Sequence, residues 1–224
     1  MKKTLPVLII AVVLLVALGG GALLMRSPSS DVKPAASAAT NAAPNAPRPA
    51  RAAVADDSPP ARVRGRADAP VKLEEFSDFQ CPTCGLMHGV LKQLVAKYPT
   101  QVGVAFRNFP LREIHRHAAE AALAAEAAGM QGKFWEMHDL IYEKQNEWKD
   151  AADARALFRG YAQSLGLDVN RFAADMEGSV VAMRIVADER RGAALGIHGT
   201  PTFFINGREL TFDQSNTLEK LSAA

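Results

Sequence analysis

Two cysteines stand in one tetrapeptide, Cys81-Pro82-Thr83-Cys84, and the chain has no third. A thiol attacks a disulfide only as its thiolate, so a reactive cysteine needs positive potential nearby and access to a partner sulfur. Cys81 follows a predicted strand and a short turn, and Pro82 stands where a helix begins, a place proline favours. Cys81 is thereby set at a helix N-terminus, where free backbone N–H groups and the helix dipole favour an anion. A free thiol pKa of about 8.5 falls to roughly 3.5–7.5 in such sites. Two intervening residues bring the second sulfur close enough for a Cys81–Cys84 disulfide. The spacing suits thiol–disulfide exchange, with Cys81 the exposed nucleophile and Cys84 the recessed resolving thiol. Half of a zinc site is the competing reading. A closed zinc site takes four ligands, and His115 and His117 have one residue between them, unlike the usual His-x3–5-His. No metal is expected.

Two further residues bear on that chemistry. Pro201 lies in Gly199-Thr200-Pro201-Thr202, just before a strand with two aromatics. It is either a strand-entry proline, which suits a residue that cannot donate to the ladder, or part of a cis Thr200–Pro201 bond facing the sulfurs. Glu75 stands six residues before Cys81, and strand alternation puts it on the face of Val71 and Leu73. It is either a strand-end glutamate turned to water or a carboxylate beneath Cys84 that takes the proton Cys84 must lose.

The elements that position these residues are legible from about residue 67. Val71 to Phe76 reads as a strand. An amphipathic helix runs from Pro82 through Leu86, Val90, Leu91, Leu94 and Val95 to Tyr98, and Pro99 ends it. Val102 to Arg107 reads as a second strand. From Ile114 to about Ala194 the pattern is helical throughout: an Ala-rich helix to Ala128, others around 134–142 and 151–165, and a final stretch around 180–195. Thr202 to Ile205 is a strand, Asn206-Gly207 a hairpin turn, and Arg208 to Thr211 the return. A short helix closes near Thr217 to Leu221. Phe134, Trp135, Met137, Leu140 and Ile141 are expected to pack the helical block rather than a cofactor, and no cofactor is expected. His115-Arg116-His117 is expected to be a solvated start to a helix.

Upstream the composition changes twice. Lys2 and Lys3 precede an uncharged run from Leu5 to Met25, long enough to span a bilayer. Residues 1–25 are therefore an uncleaved anchor or, if Ala17-Leu18-Gly19 is cut, a signal peptide. Either reading carries the domain out of the cytoplasm. Residues 26–66 hold seven of the thirteen prolines and no aromatic residue, too little apolar area to offset chain entropy, and read as a disordered linker. Residues 67–224 are the folded domain. The formal net charge of +2 among 224 residues gives no electrostatic case for nucleic acid.

The domain resembles the DsbA-like branch of the thioredoxin superfamily, including its membrane-tethered bacterial members. The likeness is carried by Glu75-Phe76-Ser77-Asp78-Phe79-Gln80 leading into the Cys pair, by Phe106 to Leu111, by Gln131 to His138, and by Gly199 to Gly207. It implies an α/β thioredoxin-like fold with a helical insertion after the second strand, at about 112–195. It implies that Cys81, Cys84 and Glu75 are catalytic and that Pro201 is cis. Pro82, Thr83, Thr200 and Pro201 would meet the substrate. It implies clients that are exported proteins with cysteines, and a DsbB-like or VKOR-like membrane redox partner. One departure is Thr83, where the strongest oxidants of the family carry histidine. His88 and His198 would compensate only if they sat near the site, and each reads first as an ordinary helix or loop residue.

Overall fold

The computed structural model describes residues 60–224. The expected anchor, and the expected linker as far as residue 59, lie outside the described residues. Among the described residues no helix is long and apolar enough to cross a membrane.

Five strands form one sheet: β1 (Arg62–Gly65), β2 (Val71–Ser77), β3 (Val102–Asn108), β4 (Thr202–Ile205) and β5 (Arg208–Leu210). Their order is β1-β3-β2-β4-β5. β2 and β3 are parallel and joined by helix α1 (Pro82–Lys97), while the other pairs are antiparallel. The β4–β5 hairpin turns on Asn206 (φ 47) and Gly207 (φ 82), the two residue types that tolerate left-handed backbone at least cost. The fold is the thioredoxin-like α/β arrangement expected.

Six helices separate β3 from β4: α2 (Ala118–Gly129), α3 (Phe134–Glu143), α4 (Gln145–Trp148), α5 (Ala154–Ser164), α6 (Val169–Glu177) and α7 (Ser179–Ala194). Two short helices, α8 (Phe212–Ser215) and α9 (Leu218–Ala223), close the chain. The insertion follows the strand expected, but an earlier strand makes that the third. The first inserted helix begins at Ala118 rather than Ile114, because the segment before it is spent on turns. In that segment Leu111 N donates to Asp78 Oδ2 and His117 N to Gln80 Oε1.

The linker reading is corrected at its end. Arg62–Gly65, placed there by composition, is β1 and pairs antiparallel with β3. Its support comes from residues 64 to 75 positions away. Arg62 Nη2 donates to Glu126 Oε2 at 2.8 Å, and the Arg64 guanidinium pairs with Asp139. Trp135 Nε1 donates to Val63 O at 3.1 Å, and Arg64 lies 4.4 Å over the Trp135 ring. β1 therefore ties sheet to insertion.

Apolar burial divides along the sheet. On one face Met87, Leu91 and Leu94 of α1 pack with Leu73, Val104 and Phe203. A second cluster joins Phe134, Met137, Trp148, Phe158 and Phe172 to the alanines of α2, whose small side chains let neighbouring helices approach closely. That second cluster continues into Phe79, Phe106, Cys81 and Cys84, so the sulfurs sit at the seam between sheet and insertion. Beside β2 and β3, α7 adds ion pairs to its apolar contacts, which include the buried Ile185. Arg107 pairs with Asp188 at 3.0 Å and Glu74 at 2.9 Å, and Arg191 pairs with Glu74 at 2.7 Å.

Candidate active site

The turn before the cysteines is built around a buried carboxylate. Asp78, 1% exposed, accepts from Gln80 N at 2.7 Å, Leu111 N at 2.8 Å and His115 Nδ1 at 2.8 Å. Its carbonyl takes the Cys81 N–H at 3.1 Å. His117 is buried and bonds Glu120 and the Ala151 carbonyl. The expectation of a solvated His115-Arg116-His117 is therefore corrected for both histidines, which cross-link the turn to the insertion.

Cys81 is the N-cap of α1, with extended backbone (φ −67, ψ 123) and proline following. Its pKa falls to about 5. The largest cause is the hydrogen bond donated by the Cys84 thiol. The backbone N–H groups of Cys84 and Thr83, and Thr200, add to it, and they outweigh partial burial. Cys84 moves the other way, well above an ordinary thiol, because it is fully buried and then because it donates to Cys81. The two sulfurs thus divide into a thiolate and a thiol at neutral pH. Cys81 is nevertheless only 7% exposed, so the nucleophile is less open than the sequence reading expected.

The Thr200–Pro201 bond is cis and Thr200 O lies 3.5 Å from Cys81 Sγ, so β4's entry brings that carbonyl to the sulfur. Pro82 is exposed and Thr83 half-buried at the mouth. Neither histidine replaces the one missing at Thr83. His88 is buried, bonds Asp139 Oδ1 at 3.0 Å and stacks on Tyr142, and His198 is exposed. Neither hydrogen-bonds a sulfur among the described residues.

Glu75 is 3% exposed on central β2, opposite Phe106 on one side and Phe203 on the other. Burial raises its pKa to about 7, against weaker opposing pulls from Ser77 and Arg64. Ser77 stabilises the ionised forms of both Glu75 and Cys84, and its Oγ is 2.9 Å from the Tyr142 hydroxyl. The Tyr142 pKa is raised well above its ordinary value by burial, and then by the charges of Cys84 and Glu75. A buried acid therefore shares its hydroxyl neighbours with the recessed thiol. No motif marked Ser77 or Tyr142. Ser77 shares Glu75's strand face at the next alternation, a signal that was present, whereas Tyr142 sits 65 positions further on. Glu75 also lines a narrow crevice with Arg64, His88, Lys92, His138 and Tyr142.

Ligand atoms of His88, His138 and Asp139 lie within 4.8 Å of one another, the one such metal-capable group among the described residues. Asp139 is already paired with Arg64 and Lys92, whose charges oppose a cation there.

A low-pKa N-cap cysteine, a buried resolving thiol and a carbonyl from a cis-proline turn are the arrangement that thiol–disulfide exchange of the DsbA-like kind requires. The chain belongs to the thioredoxin family, whose model, described as thioredoxin, matches residues 57–224. It is similar to a thioredoxin-like oxidoreductase from Silicibacter pomeroyi, with TM-score 0.59 and 25% identity over 73% of this chain and 93% of that one. BdbD from Bacillus subtilis shares the fold with TM-score 0.64 at 22% identity, over 74% of this chain and 93% of that one. Among curated relatives, the Na(+)/H(+) antiporter NhaA 1 of Salinispora arenicola is 41% identical over 162 residues, 72% of this chain and 24% of that protein. NhaA of Herminiimonas arsenicoxydans is 38% identical over 148 residues, 66% of this chain and 22% of that protein. The chain spans about a quarter of the length of these relatives.

Proposed function

We propose that the chain donates the Cys81–Cys84 disulfide to exported proteins, outside the bacterial cytoplasmic membrane. A client thiolate attacks the Cys81 sulfur, forming a mixed disulfide and expelling Cys84 as a thiolate. Cys84 then takes a proton, and Glu75, whose pKa of about 7 keeps a fraction of it protonated at neutral pH, can supply it. A second client thiolate attacks the client sulfur of the mixed disulfide. The client disulfide forms, Cys81 leaves as a thiolate, and the enzyme is left as the dithiol. Two electrons have moved from client to enzyme, so a membrane partner, DsbB-like or VKOR-like, must take them to restore the disulfide. Thr200 O, Pro201, Pro82 and Thr83 frame the place where the client strand would lie. An extended client can pair with exposed backbone there without regard to sequence.

The observation that carries the direction is the acidity of Cys81, with a pKa of about 5. A stabilised thiolate stabilises the reduced enzyme, and a couple whose reduced form is stabilised oxidises others. The reduction potential against glutathione tests this. The expected value is less negative than about −200 mV, whereas one near the thioredoxin value of about −270 mV would reverse the flow. Reversed flow is the second reading, a reductase or isomerase, and Thr83 in place of histidine favours it. A non-redox module that holds unfolded chains is a third, which the intact cysteine pair disfavours; a purified domain that neither reduces nor oxidises a dithiol substrate would establish it.

A further inference from the structure

The loop that carries Cys81 is held by a residue that no motif marks. Gln145 opens α4, a single turn rooted in the helical core by Trp148. That indole is fully buried, packs edge-on against Phe158 and donates from Nε1 to Ile141 O at 2.8 Å. From this base Gln145 Nε2 donates to Phe79 O at 2.7 Å and to Cys81 O at 3.0 Å. At the far end of the same segment, Lys149 O accepts from Gln80 Nε2 at 2.9 Å. The turn 79–81 is therefore gripped at three points by residues 145–149. Gly85, one turn into α1, lies against the same amide. A Cβ on Gly85 would stand 3.2 Å from Gln145 Oε1 and 3.4 Å from Nε2.

We propose that Gln145 is a positioning residue for Cys81, with Gly85 leaving room for it, and that through this latch the helical insertion sets the reactivity of the nucleophile. The proposal rests on the exchange chemistry argued above and names what holds that site in register.

The reason lies in the cap. Cys81 makes no side-chain capping bond and Pro82 has no N–H, so α1 begins without the usual side-chain support. Only the N–H groups further along, at Thr83 and Cys84, remain to face the sulfur. Their aim depends on the orientation of the peptide planes at residues 79–81. Gln145 fixes two of those planes by their carbonyls, and it brings the positive end of an amide dipole to the Cys81 backbone. Both effects favour a thiolate. Without the latch the turn samples other orientations, and the mean stabilisation of Cys81 falls.

The test compares wild type, Gln145→Met and Gly85→Ala in the full chain. Gln145→Met keeps length and removes both donors without adding charge. Gly85→Ala disturbs the amide from the other side and places a good helix former in a helix. The readouts are the pH profile of Cys81 alkylation and the equilibrium with glutathione, neither of which a purely structural role would move. In Gln145→Met the Cys81 profile is expected to shift up by about one unit. Its equilibrium with glutathione is expected to become tenfold less oxidising, about 30 mV. Gly85→Ala is expected to shift both in the same direction by less. Folded variants with the wild-type profile overturn the proposal. If Gln145→Met fails to fold, an unshifted Gly85→Ala overturns it alone. A wild-type Cys81 that titrates like a free thiol, near about 8.5, would instead sink the exchange reading, and the latch with it.

Discussion

Cys81 Sγ lies 3.5 Å from the carbonyl oxygen of Thr200, although 119 positions separate them. The whole helical insertion is threaded between the two halves of the reactive centre. Whatever arranges the sulfur is therefore contributed jointly by α1, the β4 entry and the insertion packed behind them.

The division of labour between the sulfurs predicts opposite outcomes for two serines. Cys81→Ser abolishes exchange, while Cys84→Ser leaves Cys81 able to form mixed disulfides that persist. At pH 6 the Cys81 pKa of about 5 leaves it largely thiolate, and Cys84 stays protonated. Alkylation of the reduced protein at that pH followed by peptide mapping is expected to find the label on Cys81, and faster labelling of Cys84 would refute the assignment.

Glu75 makes stability depend on pH with a definite sign. Its pKa is raised from 4.5 to about 7 in the folded chain. Between those values the folded state holds a proton that the unfolded chain has released, so stability falls as pH rises, and the loss is complete above about 7. Glu75→Gln removes that slope. Relative to wild type it gains up to about 3 kcal/mol at pH 8 and little at pH 4. Urea midpoints at the two pH values measure the difference. In the reverse direction, where Cys84 must lose its proton to attack the mixed disulfide, the same variant slows that step more than the attack by Cys81, and stopped-flow traces between pH 6 and 8 separate the two.

Asp188 is buried against Arg107 and accepts from Asn108 N at 3.0 Å. Burial raises its pKa to about 6 even so. Asp188→Ala removes one partner from a buried ion pair and is expected to cost about 3 kcal/mol. The midpoint of chemical denaturation would fall with its slope unchanged. The Cys81 alkylation profile is expected to stay as it is, because Asp188 bonds Arg107 and Asn108 and makes no bond to the Cys81 turn.

The run from Leu5 to Met25 sets the fate of the whole chain. As an anchor it keeps the protein in the membrane fraction through carbonate extraction. N-terminal sequencing of the mature protein gives the alternative directly: a soluble form beginning near Gly20 would mean that the segment is removed.

What was legible in the sequence was periodic or local. The βαβ core, the Asn206-Gly207 hairpin and the cysteine pair each declare themselves within a window of a few residues. β1 did not, because Arg62 and Arg64 leave no apolar alternation, and its partners Glu126, Asp139 and Trp135 are in the insertion. The histidines at 115 and 117 looked solvated for the same reason: their partners Asp78 and Ala151 are 37 and 34 positions away. Gln145 is the sharpest case. A lone glutamine between helices carries no pattern, and its importance comes from the two carbonyls it meets across 66 and 64 positions. α6 does not stand out within the continuous helical pattern because its start is a cap, Asp168 accepting from Asn170 N and Arg171 N, rather than a change in hydrophobicity, and α4 is a single turn too short to show a period.

The position of β1 at the margin of the sheet also governs how the protein meets its own copies. β3, Val102–Asn108, is buried along almost its whole length, and β1 occupies the hydrogen-bonding side that β2 leaves open. A bare β3 would present Val-Gly-Val-Ala-Phe with its amides and carbonyls unmet, a template for recruiting another strand. β1 is four residues long and arginine-bearing, so the margin it offers instead is short and charged. A proteolytic nick just after Gly65 that released β1 would leave Cys81, Cys84 and the cis turn untouched. It would nevertheless turn a sheet with a guarded border into one prone to edge-to-edge aggregation.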